Sequence, residues 1–261
     1  MFSKMDLARE DISQYDVGKK LKLALHSISQ GNTLGELWSY NQETFFLWDK
    51  GNVVLYIFGK KLSIGSLEDL RVFFEDVIRK DAVHEGFQYF KLDDATGSIP
   101  VSSIFGDLES LDSYFYGYNK EDVTVPVGCF DIVDIDEDLL KKTGLSHLEQ
   151  VEDEIRWMWP SLDRFFEKGF GKAAIIDDKI VCWCTAEYVS ENMCGIGIET
   201  SEEHRKQGIA TVTAAEFIRY ALDKGIRPHW ECHAKNQASV RLADKLGFSK
   251  LESKTVYLGR F

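Results

Sequence analysis

Two segments in the last third of this 261-residue sequence carry residue types at spacings that can do chemistry. The first begins at Gly195 and reads GIGIETSEEHRKQGIATVTAAEFIRYALDKG. A strand-like stretch, Gly195 to Glu199, leads through a turn into Arg205-Lys206-Gln207-Gly208-Ile209-Ala210 and a long helical pattern. The first turn of a helix has unpaired N–H groups and a partial positive charge. A glycine there lets an anion approach the backbone closely, which suits a phosphate or pyrophosphate. Arg205 and Lys206 add local positive charge to an otherwise acidic chain. The plainer reading is a helix start with a small residue for packing. A Walker-type loop is excluded, because no G-x-x-x-x-G-K-[ST] follows a strand. Gly195-Ile196-Gly197 also fails as a dinucleotide fingerprint, since Ile198-Glu199-Thr200 follow where a glycine is required. The second segment, HWECHAKNQASVRLADKLGF, joins a strand to a helix headed by Asn236, with Ser239 three residues on. The plainer reading of Asn236 is an N-cap alone; in the other reading both side chains offer hydrogen bonds to whatever the first segment holds.

The elements that must position these residues follow from periodicity and punctuation. Phe130 to Ile135 reads as a strand, followed by a short helix from Asp136 to Lys142. Ser146 to Trp157 reads as a helix with Ser146 and Glu149 as a capping box, and Leu162 to Lys168 as another. Strands are expected at Lys172–Ile176, Lys179–Tyr188, Met193–Thr200, Pro228–His233 and Thr255–Leu258. Helices are expected at Lys206–Lys224 and Asn236–Leu246, the latter closed by Gly247. Upstream, Val17–Ile28 is helical. Thr44–Trp48 and Asn52–Phe58 form a hairpin with Gly51 at the position needing positive φ. Ser66 caps an amphipathic helix from Leu67 to Ile78, with Asp69 in its first turn, and Phe87–Leu92 is a strand. The pattern weakens between Asp93 and Asp122, which sets a soft boundary at residues 120 to 127. The chain divides into 1–125, a smaller α+β domain, and 126–261.

Together the two segments resemble the GNAT acetyltransferase superfamily. Its R/Q-x-x-G-x-G/A motif is matched by Arg205, Gly208 and Ala210. Its N-x-x-[AS]-x-x-L-x-x-x-L-G-F motif is matched by Asn236, Ser239, Leu242, Leu246, Gly247 and Phe248. A weaker likeness extends back to about Gly128. The motif segments also resemble a bacterial subfamily that includes a zwittermicin-type antibiotic-resistance acetyltransferase. The resemblance implies an α+β fold for 126–261, a mixed and mostly antiparallel sheet flanked by helices; the first part would be a degenerate relative that shapes the substrate cleft.

Acetyl-CoA is the implied co-substrate. The backbone of Ile198, Glu199 and Thr200 would bind the pantetheine arm where the strand splays from its neighbour. The amides of Lys206, Gln207, Gly208, Ile209, Ala210 and Thr211, with Arg205 nearby, would hold the pyrophosphate. Asn236 and Ser239 would face the pantetheine or phosphate side. The implied reaction is direct acetyl transfer to a primary amine of a small molecule. An amine of pKa near 10 is mostly protonated at neutral pH, so a base assists. Glu199, at the end of the strand beside the thioester, is the first choice, with Glu231 and His233 on the next strand second. The tyrosine that commonly protonates the leaving thiolate is replaced by Ala243, which leaves Tyr257, Cys232 or water as the acid. A non-catalytic acyl-CoA-binding module remains the alternative.

Composition bounds the rest. Hydrophobic residues make up 44% and charged residues 28%, with a net charge of −12. That excludes a disordered chain and disfavours nucleic acid as a partner, since phosphate neutralisation needs a Lys/Arg surface. No apolar run reaches the ~18 residues of a membrane span and no signal peptide opens the chain, so a cytoplasmic protein is expected. Cys129, Cys182, Cys184, Cys194 and Cys232 form no CxxC pair and are read as buried, reduced thiols, with no metal site. Trp157 and Trp159 are expected in the core or as cover. Tyr114, Phe115, Tyr116 and Tyr118 are expected to pack between the two parts, and the acidic run Asp134–Asp138 to be a solvated helix start. The acceptor and the oligomeric state stay open.

Overall fold

The computed structural model describes residues 1–128 and 130–261; Cys129 lies outside the described residues. Contacts divide the chain into two units, Met1–Ser113 with Lys254–Phe261, and Tyr114–Ser253. This division differs from a boundary near 125. The weakly patterned stretch contains a nine-residue strand, Glu109–Gly117, and the chain's last residues complete the sheet of the first unit.

In the first unit the order is β1 (Phe2–Met5), α1 (Lys19–Ser29), β2 (Gly35–Tyr40), β3 (Thr44–Asp49), β4 (Val54–Gly59), α2 (Leu67–Phe73), α3 (Lys80–His84), β5 (Tyr89–Asp94) and α4 (Val101–Phe105), after which β6 (Glu109–Gly117) begins. A π-helical stretch, Phe74–Arg79, joins α2 to α3. Strands β1 to β4 pair antiparallel in sequence order. β4 and β5 run parallel from Val54↔Lys91 to Ile57↔Asp94, and Tyr257–Arg260 pair antiparallel with β5. β3 and β4 are nearly all apolar and buried on both faces, as inner strands must be. Their core includes Phe46, Trp48, Leu55, Ile57, Phe74 and Phe90.

Two local expectations fail here for identifiable reasons. In the β3–β4 turn the Asp49 carboxylate accepts the amides of Gly51 (3.0 Å) and Asn52 (3.4 Å). The positive φ falls on Val53 (51°) rather than Gly51. Burial of the Val53 side chain in the core holds a β-branched residue in this unfavourable region. Ser66 does not cap α2. A 3-10 turn, Ile64–Ser66, leads into the helix and leaves Ser66 helical itself, with its hydroxyl bonded to Ser63 (2.8 Å).

The second unit takes in the end of β6, then β7 (Asp131–Asp134), α5 (Glu137–Leu140), α6 (Leu148–Met158), α7 (Leu162–Lys168), β8 (Gly171–Ile176), β9 (Lys179–Glu187), β10 (Met193–Thr200), α8 (Ile209–Asp223), β11 (Arg227–His233), α9 (Gln237–Leu246) and the start of β12 (Ser249–Arg260). Its strand order is β7-β8-β9-β10-β11-β6. Pairing is antiparallel from β7 to β10 and parallel between β10 and β11. The mixed, mostly antiparallel sheet flanked by helices is the α+β architecture expected for this part. The first unit shows the same succession: antiparallel strands, then a helical crossover into one parallel pair.

Asp136 and Ser161 cap α5 and α7 by accepting the amides of Leu139 (2.8 Å) and Arg164 (3.1 Å). The capping box at Ser146 and Glu149 does not form. Ser146 bridges to Lys179 of β9, and left-handed His147 (φ 69°) precedes α6 instead. Buried positions on α6 are Val151, Ile155 and Met158. Trp159 is buried and donates its indole N–H to Ala186 O (2.9 Å), whereas Trp157 turns off that face and is 58% exposed, contrary to expectation. Within this unit the β6 aromatics pack locally: Phe115 stacks on His229 (5.2 Å) and Tyr118 meets Phe248 edge-on (5.0 Å).

The sheet's two faces are distinct. Register places Trp183, Thr185 and Glu187 of β9 opposite Glu199, Gly197 and Gly195 of β10, so these six share one face. α6 covers that face, with Glu154 against Gly197. Cys182 of β9 and Ile198 of β10 point to the other face, where they pack with Ile209 and Ala210 of α8.

Candidate functional site

The parallel pair β10–β11 is where the second unit opens. The strands are in register only from Met193↔Arg227 to Gly195↔His229. From Ile196 to Thr200, β10 keeps its partners on β9 but has none on β11. Backbone groups on the β11 side of that stretch lose their ladder, and an edge of this kind accepts an extended ligand as a further strand. In the first unit the equivalent pair stays joined, and the Ala95 amide extends the pairing by donating to Ile57 O (2.9 Å).

A cleft of about 590 Å³ occupies the opening. Ile198, Glu199 and Thr200 of β10 form one wall and Trp230 of β11 another. The loop into α8 contributes His204, Arg205, Lys206 and Gly208, and the first turn of α8 adds Ile209, Ala210 and Thr211. From α9 and its cap come Asn236, Ala238, Ser239, Arg241, Leu242 and Lys245. Gly208 stands before the helix at φ 84°, with nothing within 4 Å of where a side chain would start. Its conformation is the one glycine adopts without penalty, and the space beside it is open. Lys206 is also left-handed (φ 64°), so the loop doubles back before the helix begins.

Of the twelve residues expected at a cofactor site, the cleft collects all but Gln207, whose side chain instead donates to Glu203 O (3.0 Å). The Thr211 amide is already bonded to Gly208 O (3.0 Å). Asn236 accepts the Ser239 amide (3.2 Å) as the N-cap of α9. Ser239 Oγ accepts the indole N–H of Trp230 (2.9 Å) and also hydrogen-bonds the Cys232 thiol. Sequence reasoning missed Arg241 and Lys245. They stand four residues apart on α9 and so project to one side; Lys245 Nζ donates to Thr211 Oγ1 (3.3 Å). Four permanent cations therefore line one cleft of a chain whose net charge is −12. The open helix start, the glycine and the cations are chemically suited to an anion.

A family model described as GNAT acetyltransferase matches residues 121–257. The chain belongs to this family. Its sequence is 30% identical over 175 residues to the uncharacterized N-acetyltransferase YdfB of Bacillus subtilis (strain 168), covering 66% of this chain and 65% of that protein, just under two thirds of its length. Among solved structures, the GCN5-related N-acetyltransferase-like protein of Streptococcus suis 89/1591 superposes with a TM-score of 0.63 at 19% identity, over 89% of this chain and 90% of that one. A tandem GNAT protein from the clavulanic acid biosynthesis pathway aligns with a TM-score of 0.54 at 9% identity, over 100% of this chain and 98% of that one.

The catalytic candidates of this GNAT chain are placed unevenly. Glu199 lies in the cleft, but its carboxylate accepts from Arg205 Nη2 (3.0 Å), while Arg205 Nε binds Thr200 O (3.1 Å). Glu231 is half-buried on β11, two residues beyond His229 and on the Gly197 face. Tyr257 belongs to the first unit, in register with Leu92 and packed against that unit's core, whereas the cleft is built wholly from the second. Ala243 is fully buried. Tyr116, also buried, is the tyrosine whose hydroxyl senses neighbouring Cys232 and Asp244; burial first, then those charges, pushes it up to about 12. Burial also pushes the Cys182 thiol up to about 11, and Thr200 Oγ1 donates to it (3.2 Å). Among the described residues no group of three His, Cys, Asp or Glu is arranged to hold a metal, and no helix is long and apolar enough to cross a membrane.

Proposed function

We propose that the second unit binds acetyl-CoA and transfers its acetyl group directly to a primary amine of a small molecule. The observation that carries this reading is the opening of β10 from β11 beside a cationic helix start. Free backbone groups between Ile196 and Thr200 suit the amide-bearing pantetheine arm. Gly208 and the first amides of α8 suit the pyrophosphate, with Arg205 and Lys206 near it. Asn236 and Ser239 line the same cleft, and Arg241 and Lys245 extend its positive charge over the phosphates. The bound thioester supplies the electrophile: the amine forms the C–N bond, the C–S bond breaks, and the thiolate takes a proton.

The first unit we read as a degenerate repeat of the same fold. It shares the strand succession, but its parallel pair is closed and the first turn of its α2 carries Glu68 and Asp69, which repel an anion. The four described cysteines are free, in keeping with a reducing, cytoplasmic setting. The likeness to the zwittermicin-type subfamily rests on the two motif segments.

A second reading, a module that binds acyl-CoA without turnover, is favoured by the buried Ala243 where a tyrosine commonly serves as acid. Calorimetric titration of acetyl-CoA, followed by thiol release across an amine panel, separates the two. Saturable binding with amine-dependent release supports transfer. Binding without release supports the module, and no binding ends both.

A further inference from the structure

On the sheet face opposite α8, outside the proposed cofactor cleft, Glu154 of α6 lies over Gly197. A Cβ built on Gly197 would stand 3.1 Å from Glu154 Oε1 and 3.0 Å from Thr185 Oγ1, and closer still to Glu187 Oε1. Gly197 thus leaves room for these polar ends in the middle of the stretch that parts from β11. Glu154 is half-buried, and among the described residues no hydrogen bond or ion pair holds it. The charged groups facing it are Glu187 of β9 and Glu199 of β10, the latter paired with Arg205. Glu231 of β11 stands on the same sheet face at the level of Gly197. Burial, and then the Glu199 charge, hold the Glu154 carboxyl above the usual carboxylate range.

An acidic face can be mere surface, but one further feature points to a ligand. Trp183 stands directly across from Glu199 on this face, is 6% exposed, and its indole N–H has no acceptor among the described residues. A buried donor left unmatched is costly, and an acceptor oxygen on a ligand removes that cost.

We infer that this face receives the acetyl acceptor, a primary ammonium with a neighbouring hydroxyl, and that Glu154 takes the proton the ammonium must lose. The inference rests on the acetyl-transfer reading above. Its balance is direct: R–NH3+ gives its proton to the Glu154 carboxylate, and the free amine attacks the thioester carbon. The tetrahedral adduct expels the CoA thiolate, and the second nitrogen proton ends on that thiolate. Glu199, already committed to Arg205, holds the loop rather than the proton.

The test uses the full chain with 2-aminoethanol, glucosamine and 1,3-diaminopropane as acceptor probes and CoA thiol release as readout. Acetyl-CoA binding is measured first by calorimetry, so a failed cofactor site is told apart from a failed acceptor site. Glu154→Gln is expected to bind acetyl-CoA within twofold of wild type and to lose about 100-fold or more in kcat/KM. Its residual rate should climb about tenfold per pH unit, following the free amine fraction, without the wild-type plateau. Glu154→Asp should restore part of the plateau, and Trp183→Phe should raise KM for the two hydroxylated probes but not for 1,3-diaminopropane. If acetyl-CoA binds yet wild type turns over none of the probes, the inference is overturned. A wild-type rate and pH profile in Glu154→Gln overturns it too, as does a loss confined to acetyl-CoA affinity.

Discussion

Gly208→Asp separates the phosphate role of the α8 start from its structural role. A Cβ at Gly208 meets no atom within 4 Å, so the new side chain starts into open space. Its stability cost is the left-handed backbone (φ 84°), about 1 kcal/mol and less for Asp, which tolerates that region. A carboxylate at a helix N-terminus returns about 0.3–1 kcal/mol. The net change is under about 1 kcal/mol, or a Tm shift within about 4 °C for a chain of this size. Two unit charges 4 Å apart repel by about 1 kcal/mol in water and about 4 kcal/mol at an effective dielectric of 20. Against two pyrophosphate charges the lower figure already gives about 2 kcal/mol, about 30-fold in Kd. Paired thermal melts and calorimetric titrations with CoA should therefore show a Tm within about 4 °C of wild type and at least about 30-fold weaker binding. Binding within threefold of wild type, with the variant folded at the titration temperature, would refute the assignment of the helix start to phosphate.

Other outcomes follow from the same contacts. Ser161→Ala, which removes the cap of α7, should lower stability by about 1 kcal/mol, whereas Ser66→Ala, with no cap bond to lose, should cost less; denaturant melts compare them. Burial raises the thiols of Cys182, Cys184, Cys194 and Cys232, so alkylation at pH 8 mapped by mass spectrometry should leave these four unlabelled until the protein is denatured. Glu154 is raised in the folded state above its unfolded value, so the native protein binds the extra proton between the two, and stability falls as pH rises through that window. Glu154→Gln should accordingly raise Tm at pH 7–8 and lose that gain near pH 4; an advantage that grows as pH falls would contradict the sign.

What could be read from the sequence follows from how local each signal is. The β10–α8 and β11–α9 units were legible because glycine, cap and periodicity lie within a few residues of one another; Asn236 and Gly247 cap the helix they were expected to cap. β6 was not, because its first half is polar and exposed and only Tyr114 onward is apolar, so no alternation spans it. Ser66 and Ser146 carried capping patterns but met competing backbone arrangements, a 3-10 turn in one case and a bridge to β9 in the other. Arg241 and Lys245 look like an ordinary solvated helix face until α9 is set beside α8. Glu154 carries no local signal at all. Its place over Gly197 depends on α6 packing on the sheet and on the absence of a side chain at 197.

The central claim is that CoA enters the second unit between β10 and β11 and nowhere in the first. Amide hydrogen exchange of the full chain, with and without saturating CoA, tests it most directly. The account predicts new protection across residues 196–211 and 236–245, with none across 54–66, where the corresponding strand pair is closed. Unchanged exchange across 196–211, or protection at 54–66 instead, would contradict it.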